Sequence, residues 1–162
     1  MILHFIRHAK TVYPNRNQSD FERDLLPEGK IQVAILAHYL SNKTIDIDHC
    51  FCSDAQRTKE TLAGLETNIN CKKITVNNAL YLCSKNEFKA QIEQLNDEKE
   101  VLFIGHNDGI SAFISYLTEE HCVLQTCEYV KIEVLVDSWQ AVGQGTGRII
   151  DQFYPPAHLS FD

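Results

Sequence analysis

Two short apolar runs, each followed at once by a polar segment that contains a histidine, constrain the fold of this chain more than any other feature. The run at 2–6 precedes Arg7-His8-Ala9-Lys10-Thr11, and the run at 101–104 precedes Gly105-His106-Asn107. Runs of this length that are rich in Ile, Val and Phe are typical of buried strands that end in a loop. Open α/β sheets bind ligands at the carboxyl ends of their strands. We therefore expect the two histidines and the arginine to meet in one crevice that suits an anion.

Segments with helical periodicity alternate with short strands along the first half of the chain. A helix is predicted over about 27–40, where a proline suits the first helical position and apolar residues recur at helical spacing. A strand over 47–52 then leads to a helix over about 55–65, with Ser53 or Asp54 as its expected cap. The polar stretch before the first helix is expected to form a loop near the crevice.

The second half of the chain continues this alternation. The predicted strands lie at 74–76, 101–105, 129–136 and 148–153, and the predicted helices lie around 88–95 and 110–117. Three glycines, Gly143, Gly145 and Gly147, separate the last two strands and predict a hairpin. This order of elements predicts an α/β fold, a three-layer αβα sandwich with a mostly parallel central sheet, in a single domain that spans residues 1–162.

The composition argues against several classes of function. A formal net charge of −7 argues against a nucleic-acid partner, which needs a basic surface. The longest apolar run is about five residues, against the roughly 20 that a membrane-spanning helix needs. The N-terminus also lacks the basic region and the longer apolar core of a signal peptide. These features predict a cytoplasmic protein with no membrane partner.

Cysteines and histidines outside the two motifs show no metal-binding pattern. The pair Cys50-x-Cys52 is closer in sequence than zinc ligands usually are, and disulfides are rare in the cytosol, so the six cysteines are expected to be buried or incidental thiols. His4 lies inside the first strand and is expected to be a core residue with satisfied hydrogen bonds. The remaining histidines, which lack ligand spacing, are His38, His49, His121 and His158. No metal or cofactor is expected.

Four side chains at three strand ends form the expected site. They are Arg7 and His8 after the first strand, Arg57 after the second, and His106 after a later one. Arginine offers planar, permanently charged donors that bind two phosphate oxygens at once. A neutral imidazole nitrogen is a competent nucleophile for phosphorus, and a second histidine, protonated or donating a hydrogen bond, would stabilise the phosphoryl oxygens. The set predicts phosphoryl transfer without a metal, because the arginines supply the positive charge.

These residues resemble the signature of the histidine phosphatase superfamily, also called the phosphoglycerate mutase-like superfamily. Arg7-His8-Ala9 matches its Arg-His-Gly or Arg-His-Ala tripeptide, which directly follows the first strand. The stretch from Ser53 to Thr61 resembles its Ser-Pro-x-x-Arg-x-x-x-Thr pattern, and Gly105-His106 matches its later Gly-His or Ser-His. The stretch from Arg23 to Gly29 is similar to its Arg-x-Leu-Thr-x-x-Gly segment. These matches occur in the family's order over roughly residues 1–120, and the short tail looks like that of the compact SixA-like phosphohistidine phosphatase branch.

The resemblance implies a phosphoglycerate mutase-like fold and a role for each matched position. It implies that His8 is the nucleophile and forms a phosphohistidine intermediate. The residues implied to bind the phosphoryl group are Arg7, His8, Arg57 and His106, with Asn107 and Lys10 beside the motifs as further candidates.

The chain departs from the family pattern in one respect. Larger members carry an acidic residue, usually Glu, near the segment that matches Ala79-Leu80-Tyr81, but residues 77–83 contain no carboxylate. An alkoxide leaving group needs a proton from a positioned acid, whereas phosphohistidine can leave as a neutral imidazole once its ring is protonated. The missing acid therefore favours phosphohistidine over sugar phosphates. Asp108 is the obvious substitute acid or else the cap of the helix that follows, and Glu87 is expected on a solvated face.

Together these inferences predict a metal-independent phosphatase that hydrolyses phosphohistidine on a protein through a covalent intermediate on His8. Its partner would be a phosphorylated protein such as a histidine phosphotransfer domain, which implies a role in signal transduction. A phosphatase for a small phosphate ester or anhydride is the first alternative. The second is a non-catalytic phosphohistidine-binding module, against which the intact His8 argues. The short chain and the missing acid disfavour a mutase.

Overall fold

The chain, in a computed structural model that describes residues 1–14, 16 and 18–156, folds around one large central sheet. The strands are β1 (Ile2–Arg7), β2 (Asp46–Ile47), β3 (His49–Ser53), β4 (Asn70–Cys71), β5 (Ile74–Asn77), β6 (Glu100–Gly105), β7 (Tyr129–Val134) and β8 (Gly147–Phe153). The α-helices are α1 (Pro27–Ser41), α2 (Gln56–Ala63), α3 (Lys85–Ile92) and α4 (Asn107–Thr118). His158 and two residues of the predicted polar loop, Asn15 and Asn17, lie outside the described residues.

The central sheet has six strands in the order β5-β3-β6-β1-β7-β8. The first four run parallel to one another, while β7 is antiparallel to β1, and β8 forms the predicted hairpin with β7. Because Arg7 of β1 is in register with Gly105 of β6, these two strands end at the same edge of the sheet. The prediction of an α/β fold with a mostly parallel sheet is therefore confirmed.

Two apolar layers cover the two faces of this sheet. Successive residues of β1 and β6 point to opposite faces, so Phe5 and Phe103 pack with α3 and α4, while Ile6 and Ile104 pack with α1 and α2. The helices therefore lie on both faces, as the three-layer prediction requires. None of the helices in the described part of the chain has both the length and the apolar character of a membrane-spanning helix.

The predicted strand over 47–52 is interrupted at Asp48. The carboxylate of Asp48 accepts the backbone N–H groups of Lys99 at 2.7 Å and Glu100 at 3.1 Å, so the chain turns there toward the start of β6. Residues Asp46–Ile47 instead pair with Asn70–Cys71 in a separate two-stranded parallel sheet, which the sequence did not predict.

The predicted helix caps at both strand ends are wrong. Ala55 is the N-cap of α2, in place of Ser53 or Asp54, and His106 is the N-cap of α4, so that Asp108 lies inside the first turn. No side-chain cap hydrogen bond forms at either helix. In both places the strand leads almost directly into the helix: two residues, Asp54 and Ala55, separate β3 from α2, and His106 alone separates β6 from α4.

Other predictions about single side chains are confirmed. His4 is buried and hydrogen-bonded through both ring nitrogens, to the Tyr129 hydroxyl at 2.8 Å and to Glu100 Oε1 at 2.9 Å. All six cysteines are free thiols, five of them buried and Cys71 half-buried.

Candidate active site

The ends of β1 and β6 bring the two motif histidines together. The His8 backbone N–H donates to the Gly105 carbonyl oxygen at 2.9 Å, which ties the segment after β1 to the end of β6. The rings of His8 and His106 consequently lie with their centroids 5.4 Å apart. The expected convergence of the two motifs follows directly from the parallel pairing of their strands.

A cavity of about 420 Å³ opens at this edge of the sheet. It is lined by the predicted Arg7, His8, Arg57, His106 and Asn107, and also by Asp20, Arg23, Leu82, Asp108 and Gly109. The first turn of α4 forms part of the wall, and a helix N-terminus favours bound negative charge. The surroundings therefore combine three guanidinium groups with a helix N-terminus, which suits a phosphoryl group.

Two further candidates from the sequence lie elsewhere. Lys10 is not among the residues that line the cavity, and its backbone N–H donates to Gln32 Oε1 at 3.0 Å. Glu87 is exposed and caps α3, where its carboxylate accepts the Ser84 backbone N–H at 2.6 Å. Within the described residues, no group of three or more His, Cys, Asp or Glu side chains is arranged to hold a metal ion.

The tautomer of His8 is fixed by its neighbour. Nδ1 of His8 lies 2.8 Å from the carbonyl oxygen of Ala9, and because that oxygen can only accept, Nδ1 must carry the hydrogen. The lone pair of the neutral ring is then on Nε2. Burial lowers the pKa of His8 to about 3, so the ring is neutral near pH 7. His8 thus has the form that a nucleophile on phosphorus requires.

His106 has both ring nitrogens bound to protein groups. The Arg57 guanidinium donates through Nη2 to Nδ1 of His106 at 3.1 Å, so this nitrogen is unprotonated, and Nε2 donates to Ser53 Oγ at 2.8 Å. Burial and the charge of Arg57 lower the pKa of His106 to about 3. The protonated form considered from the sequence is therefore not the one that this environment favours. The neutral ring instead positions Arg57 and Ser53.

Sequence reasoning missed Asp20 as a cavity residue. Asp20 begins a 3₁₀ turn (Asp20–Glu22), and its carboxylate contacts Arg57 Nη2 at 3.0 Å, Arg23 Nη2 at 2.8 Å and the Tyr81 hydroxyl at 2.5 Å. Partial burial raises the pKa of Asp20, but the hydrogen bond from Tyr81 and the charges of both arginines outweigh it, so this pKa is below its ordinary value. The only signal in the sequence is that Asp20 and Arg23 have opposite charges and stand three residues apart. Such pairs are too common to mark a functional site.

Two residues of the family-like segments hold the backbone of the site. Thr61 Oγ1 accepts the Ala9 N–H at 3.1 Å and donates to the Arg57 carbonyl at 2.7 Å, so it joins the segment after β1 to α2. At Gly29, an added Cβ would lie 2.1 Å from the carbonyl oxygen of Lys10, so only glycine allows α1 to approach the same segment. The similarity of these stretches to the family therefore has a physical basis in the support of His8.

We expect the protein to lose stability as the pH falls from about 6.5 toward 3. The pKa values of His8 and His106 are about 3 in the folded protein, against the ordinary 6.5. Between these values the unfolded chain binds more protons than the folded one, so the free energy of unfolding rises with pH across this window. Each histidine contributes a slope of up to about 1.4 kcal/mol per pH unit.

Urea unfolding between about pH 5 and pH 7 measures this slope, since most carboxylates are ionised throughout that range. The His8→Gln variant should show a shallower dependence on pH, whereas His121→Gln, at an exposed position, should keep the slope of the unmodified protein. An identical slope in all three proteins would contradict the assignment of a buried neutral ring.

Comparison with known proteins shows which proteins this chain is similar to. The chain matches the sequence profile of the histidine phosphatase superfamily (branch 1) over residues 3–81. A relative, the uncharacterized protein ML1117 of Mycobacterium leprae (strain TN), is 29% identical over an alignment of 119 residues that covers 70% of this chain and 71% of the relative.

Solved structures share the fold over nearly the whole chain. The SixA protein of Agrobacterium tumefaciens gives a TM-score of 0.81 at 19% identity and covers 95% of this chain and 98% of its own. The protein histidine phosphatase SixA complexed with tungstate gives 0.80 at 20% identity, with 96% and 97% covered. Mycobacterial glucosyl-3-phosphoglycerate phosphatase is more distant, with a TM-score of 0.68 at 14% identity and 93% and 97% covered.

At these identities the solved structures show the fold, which is the phosphoglycerate mutase-like fold expected from the sequence. The matched profile covers the segments that contain Arg7, His8 and Arg57. The match to the histidine phosphatase superfamily over residues 3–81, together with the shared fold, supports a phosphatase.

Proposed function

We propose that this protein is a phosphatase that hydrolyses phosphohistidine on a protein, through a phosphoryl intermediate on Nε2 of His8. The observation that carries the proposal is the hydrogen bond from His8 Nδ1 to the Ala9 carbonyl, which reserves Nε2 for the cavity shared with Arg7 and Arg57. A module that only binds phosphohistidine has no use for a neutral imidazole held in this tautomer. The arrangement therefore favours catalysis over binding alone.

The reaction has two displacements at phosphorus. In the first, Nε2 of His8 forms a bond to phosphorus as the bond to the substrate imidazole breaks, and that imidazole leaves neutral because its other nitrogen is protonated. In the second, water attacks the phosphoryl group on His8, a proton passes from the water to solvent or orthophosphate, and the neutral ring is restored. The Ala9 carbonyl keeps the Nδ1 hydrogen in place throughout and stabilises the positive charge of the phosphorylated ring.

The arginines stabilise the negative charge that develops on the phosphoryl oxygens, so neither displacement needs a metal ion. Arg7 is held by a hydrogen bond from Nη1 to the Leu124 carbonyl at 2.8 Å, and Arg57 is held by Asp20 and His106. Among the described residues, the Nε atoms of Arg7 and Arg57 have no hydrogen-bond acceptor, so contacts within the protein do not use every donor of either guanidinium.

A protein substrate is supported by the mouth of the cavity. Leu82, which lines the rim, is 61% exposed, and the Asp20 side chain is also partly exposed, so a side chain projecting from another protein can reach His8. The partner proposed from this is a phosphorylated protein such as a histidine phosphotransfer domain. The likeness of the fold to SixA supports the same choice.

A phosphatase for a small phosphate ester is the second candidate. Asp20 and Asp108 both line the cavity, so carboxylates that could protonate an alkoxide are present even though residues 77–83 contain none. The fold is also shared, at a lower TM-score, with the glucosyl-3-phosphoglycerate phosphatase.

The test measures orthophosphate release from a phosphohistidine-bearing phosphotransfer protein, an aryl phosphate and a sugar phosphate, each with a chelator present. We expect kcat/KM for the phosphoprotein to exceed that for the sugar phosphate by at least about 100-fold. This is the lower end of the rate enhancement that a positioned general acid supplies. Turnover of esters alone would move the function to a small-molecule phosphatase. Binding of orthophosphate without turnover of any substrate would favour a non-catalytic phosphohistidine-binding module.

A further inference from the structure

The terminal nitrogens of Arg57 are occupied by acceptors within the protein. Nη1 donates to the Asp20 carbonyl oxygen at 2.5 Å, and Nη2 donates to Asp20 Oδ2 at 3.0 Å and to His106 Nδ1 at 3.1 Å. A guanidinium has five N–H donors, two of them on Nη2, so Nη2 has none left. Both terminal nitrogens of Arg57 can therefore bind a phosphoryl group only after the Asp20 carboxylate has moved away from Nη2.

The contacts of Asp20 hold its carboxylate on Arg57, and its exposure allows the carboxylate to move away. Its second oxygen, Oδ1, pairs with Arg23 at 2.8 Å, and the Tyr81 hydroxyl donates to Oδ2 at 2.5 Å. Its side chain is 41% exposed, whereas that of Arg57 is 1% exposed. The carboxylate can therefore move toward water at small cost in solvation, while the guanidinium stays fixed in the wall of the cavity.

We infer that Asp20 is an internal anion that competes with the phosphoryl group for Arg57 and thereby sets how tightly the site holds orthophosphate. This inference rests on the proposed function in one respect, that the phosphoryl group binds at Arg57. Free orthophosphate offers the site only its oxygens and must displace Asp20 with them. A phosphoprotein must displace Asp20 as well, but its contacts at the rim add affinity that free orthophosphate lacks. The competition therefore leaves the product weakly bound while the substrate can still bind.

Asp108 provides a matched control in the same cavity. It lines the cavity as Asp20 does and has the same charge, but no hydrogen bond or ion pair joins it to an arginine within the described residues. Replacing either aspartate with asparagine removes one negative charge near the bound anion. Only the change at Asp20 also removes a competitor for Arg57.

The experiment is a calorimetric titration of the intact protein and its Asp20→Asn, Asp108→Asn and Tyr81→Phe variants with inorganic phosphate. We expect Asp20→Asn to bind phosphate at least about tenfold more tightly, the scale of one charge-assisted hydrogen bond. Tyr81→Phe keeps the ring that packs on His106 and removes the hydroxyl that holds Asp20, so it should shift affinity in the same direction by less. Asp108→Asn should change affinity by much less than Asp20→Asn.

An equal increase in phosphate affinity in Asp20→Asn and Asp108→Asn would show that both aspartates act on phosphate only by charge repulsion. That result would overturn the inference. Unchanged affinity in folded Asp20→Asn, or in Tyr81→Phe if the first variant does not fold, would overturn it too, as would no phosphate binding by any of the proteins. Because the titration involves no turnover, its result is separate from the substrate assay. Tighter phosphate binding together with no activity on phosphohistidine would reject only the proposed substrate.

Discussion

Replacing His8 with alanine is expected to abolish turnover, with kcat for phosphoprotein and aryl phosphate lowered by about 10⁴-fold or more. The reason is that no other described side chain lining the cavity has an imidazole nitrogen with a free lone pair, since both nitrogens of His106 are bound to Ser53 and Arg57. Orthophosphate release measured over a long incubation gives the residual rate. Quenching the unmodified enzyme during turnover should also trap an acid-labile phosphoryl group that the variant lacks.

The control for this experiment is His121→Ala, because His121 is exposed and lies outside the cavity. It should retain the activity of the unmodified protein. The His8→Ala variant should still unfold cooperatively and bind orthophosphate, since the arginines remain. A phosphoryl-enzyme that survives in this variant would remove His8 from the role of nucleophile.

Replacing Arg57 with lysine is expected to lower kcat/KM by about 10²–10³-fold although the charge is kept. A single ammonium cannot contact His106 and also bind two phosphoryl oxygens, because it lacks the planar set of donors. His106 and Ser53 lose the contact that fixes them, so the loss should appear in kcat as well as in KM. Steady-state kinetics with the aryl phosphate separates the two.

Arg148→Lys is the matched control for a loss of the guanidinium group. Arg148 on β8 pairs with Glu133 on β7, does not line the cavity, and has a side chain that is 66% exposed. Its replacement should leave kcat/KM unchanged. Similar kinetics in the two lysine variants would mean that the donor geometry of Arg57 does not matter for the reaction.

Local patterns in the sequence are sufficient to locate the strands that carry the site. The apolar runs before Arg7 and Gly105 mark buried strands, and parallel pairing then brings His8 and His106 together with no further information. The break at Asp48 was not predictable from the pattern, because it depends on backbone N–H groups of Lys99 and Glu100 some fifty residues away.

The fine structure of the site depends on contacts between distant segments. The tautomer of His106 follows from the donors and acceptors of Ser53 and Arg57, which only the folded chain brings within reach. Asp20 was missed for the same reason, since its partner Tyr81 is 61 residues away. The sequence showed that residues 77–83 lack a carboxylate, but it could not show that Tyr81 contacts one from another loop.

The position of β1 in the sheet separates the chemistry of this protein from its choice of substrate. β1 lies between β6 and β7, hydrogen-bonded on both sides, so His8 follows a strand that opens only when much of the sheet unfolds. Asp20 and Leu82 lie on connecting segments at the rim. Changes in these segments during evolution can therefore alter which molecules enter the cavity, while His8 keeps its geometry.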